Sequence, residues 1–203
     1  MKSGRLEQLA DGIFAIVMTI LVFEIHIPAD LVNLSSNELW HELLKLQPYF
    51  FGYVLSFALL FTYWRAHHFF VSVYAKNIDS RLTNINTLFF MLISLVPFST
   101  SLLSKFSENI LAISVFGIHI ILIGLCLYWM RNYVFYSEHI RNPEITHHEI
   151  RGSTVRTLTP VFASLVAIYI SFFNTELSLT IFTLAVIFNL SSYSTILYEK
   201  IFK

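Results

Sequence analysis

The sequence predicts an all-α integral membrane protein with six transmembrane helices per subunit, and three observations lead there. Only 13% of the 203 residues are charged and 56% are hydrophobic, about half the charge share of a soluble globular domain. Five runs of 19 residues or more contain no Asp, Glu, Lys or Arg, each long enough to cross roughly 30 Å of hydrocarbon as a helix. The basic residues also gather in alternate connections, as membrane topology requires.

The first expected span, about Gln8 to Ile27, carries Asp11 near one end and Glu24 near the other. Its apolar run is too long, its flanks too acidic and its sequence too poor in small-residue cleavage sites for a secretory signal. The uncharged runs give the others: Leu46–Trp64, Leu82–Ser104, Asn109–Met130, Thr157–Thr175 and Leu177–Tyr198. No repeat, linker or low-complexity tract interrupts them, so residues 1–203 read as one membrane domain.

With the N-terminus in the cytoplasm, the inner segments hold eleven basic residues: Lys2, Arg5, Arg65, Lys76, Arg81, Arg131, Arg141, Arg151, Arg156, Lys200 and Lys203. The outer loops hold two, Lys45 and Lys105, among Asp30, Glu38, Glu42, Glu108 and Glu176. Both termini are therefore expected in the cytoplasm, with the chain in the plasma membrane. The inner segment from Arg131 to Arg156, with His139, His147 and His148, reads as a solvated extension or loop. Thirteen basic against thirteen acidic residues leave no field for nucleic acid. The single Cys126 excludes a disulfide framework.

An acid within a membrane helix is costly and by default has a partner or a function. Glu24, near the outer interface, reads as snorkelling to water. Asp11 follows Arg5 and Glu7 within two turns and suggests a polar cluster at the cytoplasmic end. At about 100° per residue, Leu9, Gly12, Ile16, Thr19, Ile20, Phe23 and Ile27 form one stripe. Asp11, Phe14, Met18, Leu21 and Ile25 lie on or near the opposite side. By geometry alone the stripe reads as a helix-packing face with one hydroxyl. The lone His26 and His119 read as satisfied packing or interface positions.

The run from Arg5 through Asp11, Gly12, Phe14, Ile16 and Thr19 to Glu24 resembles the first-helix signature of the TMEM175 potassium-channel family: an Arg, three residues, then Phe-Ser-Asp and an Ile/Leu/Thr-rich helix. Leu9-Ala10 stand here in place of Phe-Ser, removing one hydroxyl. Trp64, His67 and His68 resemble the motif ending the family's second helix. Asp79, Leu82, Asn86 and Leu88, then Pro97-Phe98 and Thr100, resemble its third. The resemblance implies a homotetramer whose first helices line a central pore, in a lipid bilayer, passing monovalent cations. No Thr-Val-Gly-Tyr-Gly filter occurs, so selectivity would come from another device. The family's constriction maps onto Ile16, with Thr19 and Phe23 one and two turns outward. Passive K⁺ conduction with modest preference over Na⁺ is the implied function, with no cofactor. By resemblance and by cost, Arg5, Asp11, Trp64, His68 and Asn86 are expected to form a buried polar network near the cytoplasmic face.

Other function classes fare less well. Adjacent His67 and His68 point about 100° apart on a helix and cannot chelate together, and neither His-Glu-x-x-His nor Gly-x-Ser-x-Gly occurs. The chain therefore reads as no enzyme. An ion- or proton-coupled secondary transporter is the main alternative. Transporters favour matched broken helices, however, and Pro97 and Pro160 fall at different depths. A helical scaffold without transport is a third reading.

Overall fold

The structure, a computed structural model, describes residues 3–27, 34–144 and 147–191, and their side chains except those of 3, 147–153 and 156. The described residues form eight α-helices, a 3-10 turn and a π-helical segment joined by short connections, with no named strand among them. Helix α1 (Ser3–Ile20) tightens into a 3-10 turn over Leu21–Glu24. Its buried positions are Leu6, Ala10, Phe14, Val17 and Leu21, which recur at three- and four-residue intervals, as one helical face demands.

The connection between the first two expected spans contains a helix where the sequence suggested only a loop. Helix α2 (Ser36–Lys45) has a complete capping box: Ser35 and Glu38 exchange side-chain-to-backbone hydrogen bonds at its start. At ten residues with four charges or histidines it is too short and polar to resemble a span. Its Leu39, Trp40, Leu43 and Leu44 are exposed. A 44° bend at Leu46 leads into α3 (Gln47–His68), which continues as a π-helical segment over Phe69–Tyr74.

The expected third span is two helices, α4 (Ser80–Ser94) and α5 (Val96–Lys105). The break at Leu95 follows from Pro97, which lacks the N–H that would reach the Ile93 carbonyl. Helix α6 (Ile110–Tyr136) runs 27 residues, past the expected end at Met130. Helix α7 (His147–Ser171) contains Pro160, and α8 (Thr175–Leu190) is N-capped by the Asn174 side chain.

Among the described residues three segments are long and apolar enough to cross a membrane alone: Gly4–Glu24, Ser80–Lys105 and Ile110–Tyr136. The bent α2–α3 pair is a fourth candidate, and the apolar parts of α7 and α8 are shorter. The expected sixth span extends to Tyr198; its part beyond residue 191 lies outside the described residues.

Helix α6 is the centre of the packing, with α7 on one side and α4 and α5 on the other; α8 packs on α7 and α3, and α1 lies against α3 and α4. Small residues allow the α6–α7 crossing. A Cβ on Gly124 would lie 2.4 Å from Val161 Cγ2, and one on Gly117 would lie 2.7 Å from Ile168 Cγ1. Such approach is how membrane helices gain van der Waals contact when lipid removes the hydrophobic drive between them.

The connections at the far end from α2 are knit together rather than loose. Lys76 N–H donates to the Ile140 carbonyl at 2.7 Å, and Asn142 N–H donates to Tyr74 at 2.9 Å. Arg131, expected at the start of a solvated segment, is buried with its guanidinium 4.8 Å from the Phe135 ring centroid. Its long apolar stem and the aromatic lining make that possible. The His147 and His148 side chains lie outside the described residues.

Candidate functional site

Helix α1 has two faces of opposite character. Phe14 and its companions pack inward, with the Phe14 ring 6.1 Å from that of Phe89 and 6.5 Å from that of His67. The stripe of Leu9, Gly12, Ile16, Thr19, Ile20, Phe23 and Ile27 faces out of the subunit. Ile16 is 59% exposed and Phe23 75%. The stripe therefore does not serve as a packing face within the chain, contrary to the reading from helical geometry alone; the opposite side does, through Phe14 and Leu21. Sequence periodicity misleads here because both sides of α1 are apolar.

Thr19 supplies the hydroxyl of this exposed face. Its Oγ1 lies 2.9 Å from the Ala15 carbonyl and 2.8 Å from that of Ile16. The hydroxyl hydrogen is engaged by the backbone, so oxygen lone pairs are what Thr19 offers outward. That is the polarity a cation seeks. At the C-terminal end of the 3-10 turn Glu24 is half-buried, and the His26 ring sits edge-on to Tyr49 at 6.1 Å.

The expected polar network resolves into two separate pairs. In the first, Trp64 Nε1–H donates to Asp11 Oδ1 at 2.8 Å. The Trp64 ring stacks on His68 at 6.1 Å and 22°, and His68 Nδ1 meets Ser72 Oγ at 3.1 Å. This group is on the accessible side of α3. In the second, deeply buried pair, His67 Nε2 lies 2.6 Å from Asn86 Oδ1. Asn86 Nδ2 donates to the Leu82 carbonyl, so Oδ1 is the acceptor and His67 Nε2 carries the hydrogen. The His67 ring stacks on Phe89 at 5.3 Å and 6°.

Asn86 thus meets His67, not His68, which is exposed. Consecutive helical positions diverge by about 100°, so one histidine turns inward and its neighbour outward. Arg5 is exposed and shares no hydrogen bond or ion pair with Asp11, Trp64, His68 or Asn86. Sequence reading missed His67 as the buried member; the signal available was its i, i+4 spacing from buried Tyr63. Among the described residues no three His, Cys, Asp or Glu side chains group as a metal site.

Asp79 forms a second clasp where α4 begins. Oδ1 accepts from Leu82 N–H at 2.7 Å, and Oδ2 accepts from the Tyr133 hydroxyl and lies 3.3 Å from His139 Nε2. Burial opposes its ionisation, but the Leu82 amide, the Tyr133 hydroxyl and His139 outweigh that and hold its carboxyl below the ordinary value.

Residues 5–97 match the family described as endosomal/lysosomal potassium channel TMEM175. A potassium channel from Chamaesiphon minutus is 30% identical over 94% of this chain and 95% of its own length. One from Streptomyces collinus is 28% identical over 76% of this chain and 75% of its own length. The mouse endosomal/lysosomal proton channel TMEM175 is 25% identical over 85% of this chain, which spans only 35% of that longer protein. The crystal structure of a lysosomal potassium-selective channel TMEM175 homolog from Chamaesiphon minutus superposes with a TM-score of 0.80 at 27% identity, covering 97% of both chains.

Proposed function

Because this chain belongs to the TMEM175 potassium-channel family and is a membrane protein, we propose that it conducts K⁺ passively through a pore lined by α1, with a hydrophobic constriction at Ile16. The subunit contributes six spans, and four copies surround the axis in the plasma membrane with both termini cytoplasmic. Lipid and monovalent cations are its partners, and no cofactor is required. The observation that carries the reading is the exposure of the α1 stripe, with Ile16 at 59%, while the opposite face is packed. An apolar face of that extent is a surface awaiting other copies or lipid.

Four Ile16 side chains around an axis would form a dry ring. Its barrier is the cost of stripping water from the ion, which is smaller for K⁺ than for Na⁺ because the larger ion holds its shell more weakly. Such a ring discriminates modestly, since it offers no ligand in exchange, and it closes readily by dewetting. Thr19, one turn outward with its lone pairs free, gives a partly dehydrated ion its first oxygen contact. Phe23 continues the apolar throat beyond it. Glu24 at the mouth raises the local cation concentration within about 8–10 Å, the screening length in physiological salt.

The test is flux through purified protein in liposomes, K⁺ against Na⁺, together with the oligomer mass. Ile16→Ala should widen the ring and raise Na⁺ permeability relative to K⁺. Unchanged permeability ratios would remove Ile16 from the constriction. Saturating turnover, with a reversal potential that follows an imposed proton or solute gradient, would instead favour coupled transport.

A further inference from the structure

The break in the third span is bridged by one imidazole. His119 on α6 has Nε2 2.9 Å from the Leu92 carbonyl of α4 and Nδ1 2.8 Å from Ser99 Oγ of α5. The two residues stand on opposite sides of Leu95, so one ring holds both halves. A carbonyl only accepts, hence Nε2 carries a hydrogen.

Ser99 Oγ also lies 3.1 Å from the Val96 carbonyl. With a neutral ring, the Ser99 hydroxyl donates to Nδ1. With a protonated ring, Nδ1–H donates to Ser99 Oγ and the hydroxyl turns to the Val96 carbonyl. Every donor has an acceptor in both states, which the apolar surroundings demand. The titratable groups on adjacent elements are Tyr63 of α3, which donates to the Ile120 carbonyl at 3.2 Å, Glu24 of the 3-10 turn, His67 beneath α4, Lys105 at the far end of α5 and Cys126 along α6. None of them shares a hydrogen bond or ion pair with the His119 ring.

Helix α5 is otherwise tied to α3 by Thr100 Oγ1, which donates to Ser56 Oγ at 2.6 Å, and it packs against the turn Leu21–Glu24 that ends α1. We propose that His119 is a positioning residue for conduction: it braces the broken third span, and its proton state sets how α5 holds the outer end of α1, where Phe23 stands. This rests on the reading of α1 as the pore lining.

Two measurements test it. In liposomes, K⁺ flux through the wild type should change as the pH is lowered from about 8 to about 4, a span that covers the titration of an imidazole. His119→Phe, which removes the hydrogen bonds to both α4 and α5, should lower flux about fivefold or more, since each lost bond alone is worth roughly that factor. His119→Asn can still donate to Leu92 and should restore flux over the Phe variant, with a flat pH response. An Asn variant that keeps the wild-type pH profile overturns the proposal, as does a Phe variant with unaltered flux. Independently of flux, nitrogen NMR of histidine-labelled protein in lipid, with His119 assigned by difference from H119N, should show Nδ1 passing from acceptor to donor across that range. A ring fixed in one state overturns the proton-dependent part. Both states present in a protein that passes no K⁺ would leave the brace standing and sink the conduction reading.

Discussion

The indole N–H of Trp64 and the Asp11 carboxylate meet at 2.8 Å, joining α3 to the accessible side of α1 one and a half turns below Ile16. The bond fixes α1 about its own axis, because Phe14 anchors the other side against Phe89 and His67. Trp64→Phe keeps an aromatic ring for His68 but removes the donor. It should cost about 1 kcal/mol, read as a lower melting temperature in detergent and a smaller yield of assembled protein. Asp11→Asn should act the same way, impairing assembly more than ion preference. Normal assembly with altered selectivity would move Asp11 from support to conduction.

Among the described residues Asn86 is the sole side-chain hydrogen-bond partner of His67. Asn86→Ala leaves a buried imidazole N–H without an acceptor and should destabilise by about 1–3 kcal/mol. Adding His67→Phe removes the orphaned group, so the double variant should lose less than the two single losses summed. A double-mutant cycle on thermal unfolding measures that coupling. Strict additivity would mean that the pair contributes nothing as a pair.

Two glycines separate the subunit fold from assembly. Gly124→Ala drives a methyl to within 2.4 Å of Val161 Cγ2 and should cost about 1–3 kcal/mol by overpacking the α6–α7 crossing. Gly12, on the exposed stripe, has nothing within 4 Å of a built Cβ. Gly12→Ala should leave subunit stability unchanged or slightly improved, since alanine favours helix. If Gly12→Ala nevertheless disrupts the oligomer seen by mass, the contact must come from another copy.

Asp79 gives a pH prediction with a definite sign. Its carboxyl is held below the ordinary value, so its contribution is complete above the usual carboxylate range and is lost as pH falls through the depressed value. The clasp on Tyr133 and His139 should therefore persist at neutral and mildly acidic pH. Asp79→Asn should loosen it at every pH, seen as faster hydrogen exchange at the Lys76 and Asn142 amides that knit the two connections. Equal protection in the variant would show that the backbone pairing holds alone.

Composition alone determined that this chain lives in a membrane, because so low a charge content and runs of that length have no other stable environment. The motifs on α1 and α3 pointed to the family, since Arg5, Asp11 and the Trp64-His67-His68 group are polar residues that a membrane helix keeps only for a reason. Tertiary packing decided the rest. Both sides of α1 are apolar, so only its neighbours could say which side is buried. His67 and His68 are chemically identical, so only the rotation of α3 could select the one that meets Asn86. Helix α2 was hidden for a related reason, since a ten-residue amphipathic segment changes direction without a long apolar run, whereas Pro97 had already marked a break in the third span. His119 looked like a lone histidine until α4, α5 and α6 came together around it, because its partners are a carbonyl and a hydroxyl that stand 27 and 20 positions away.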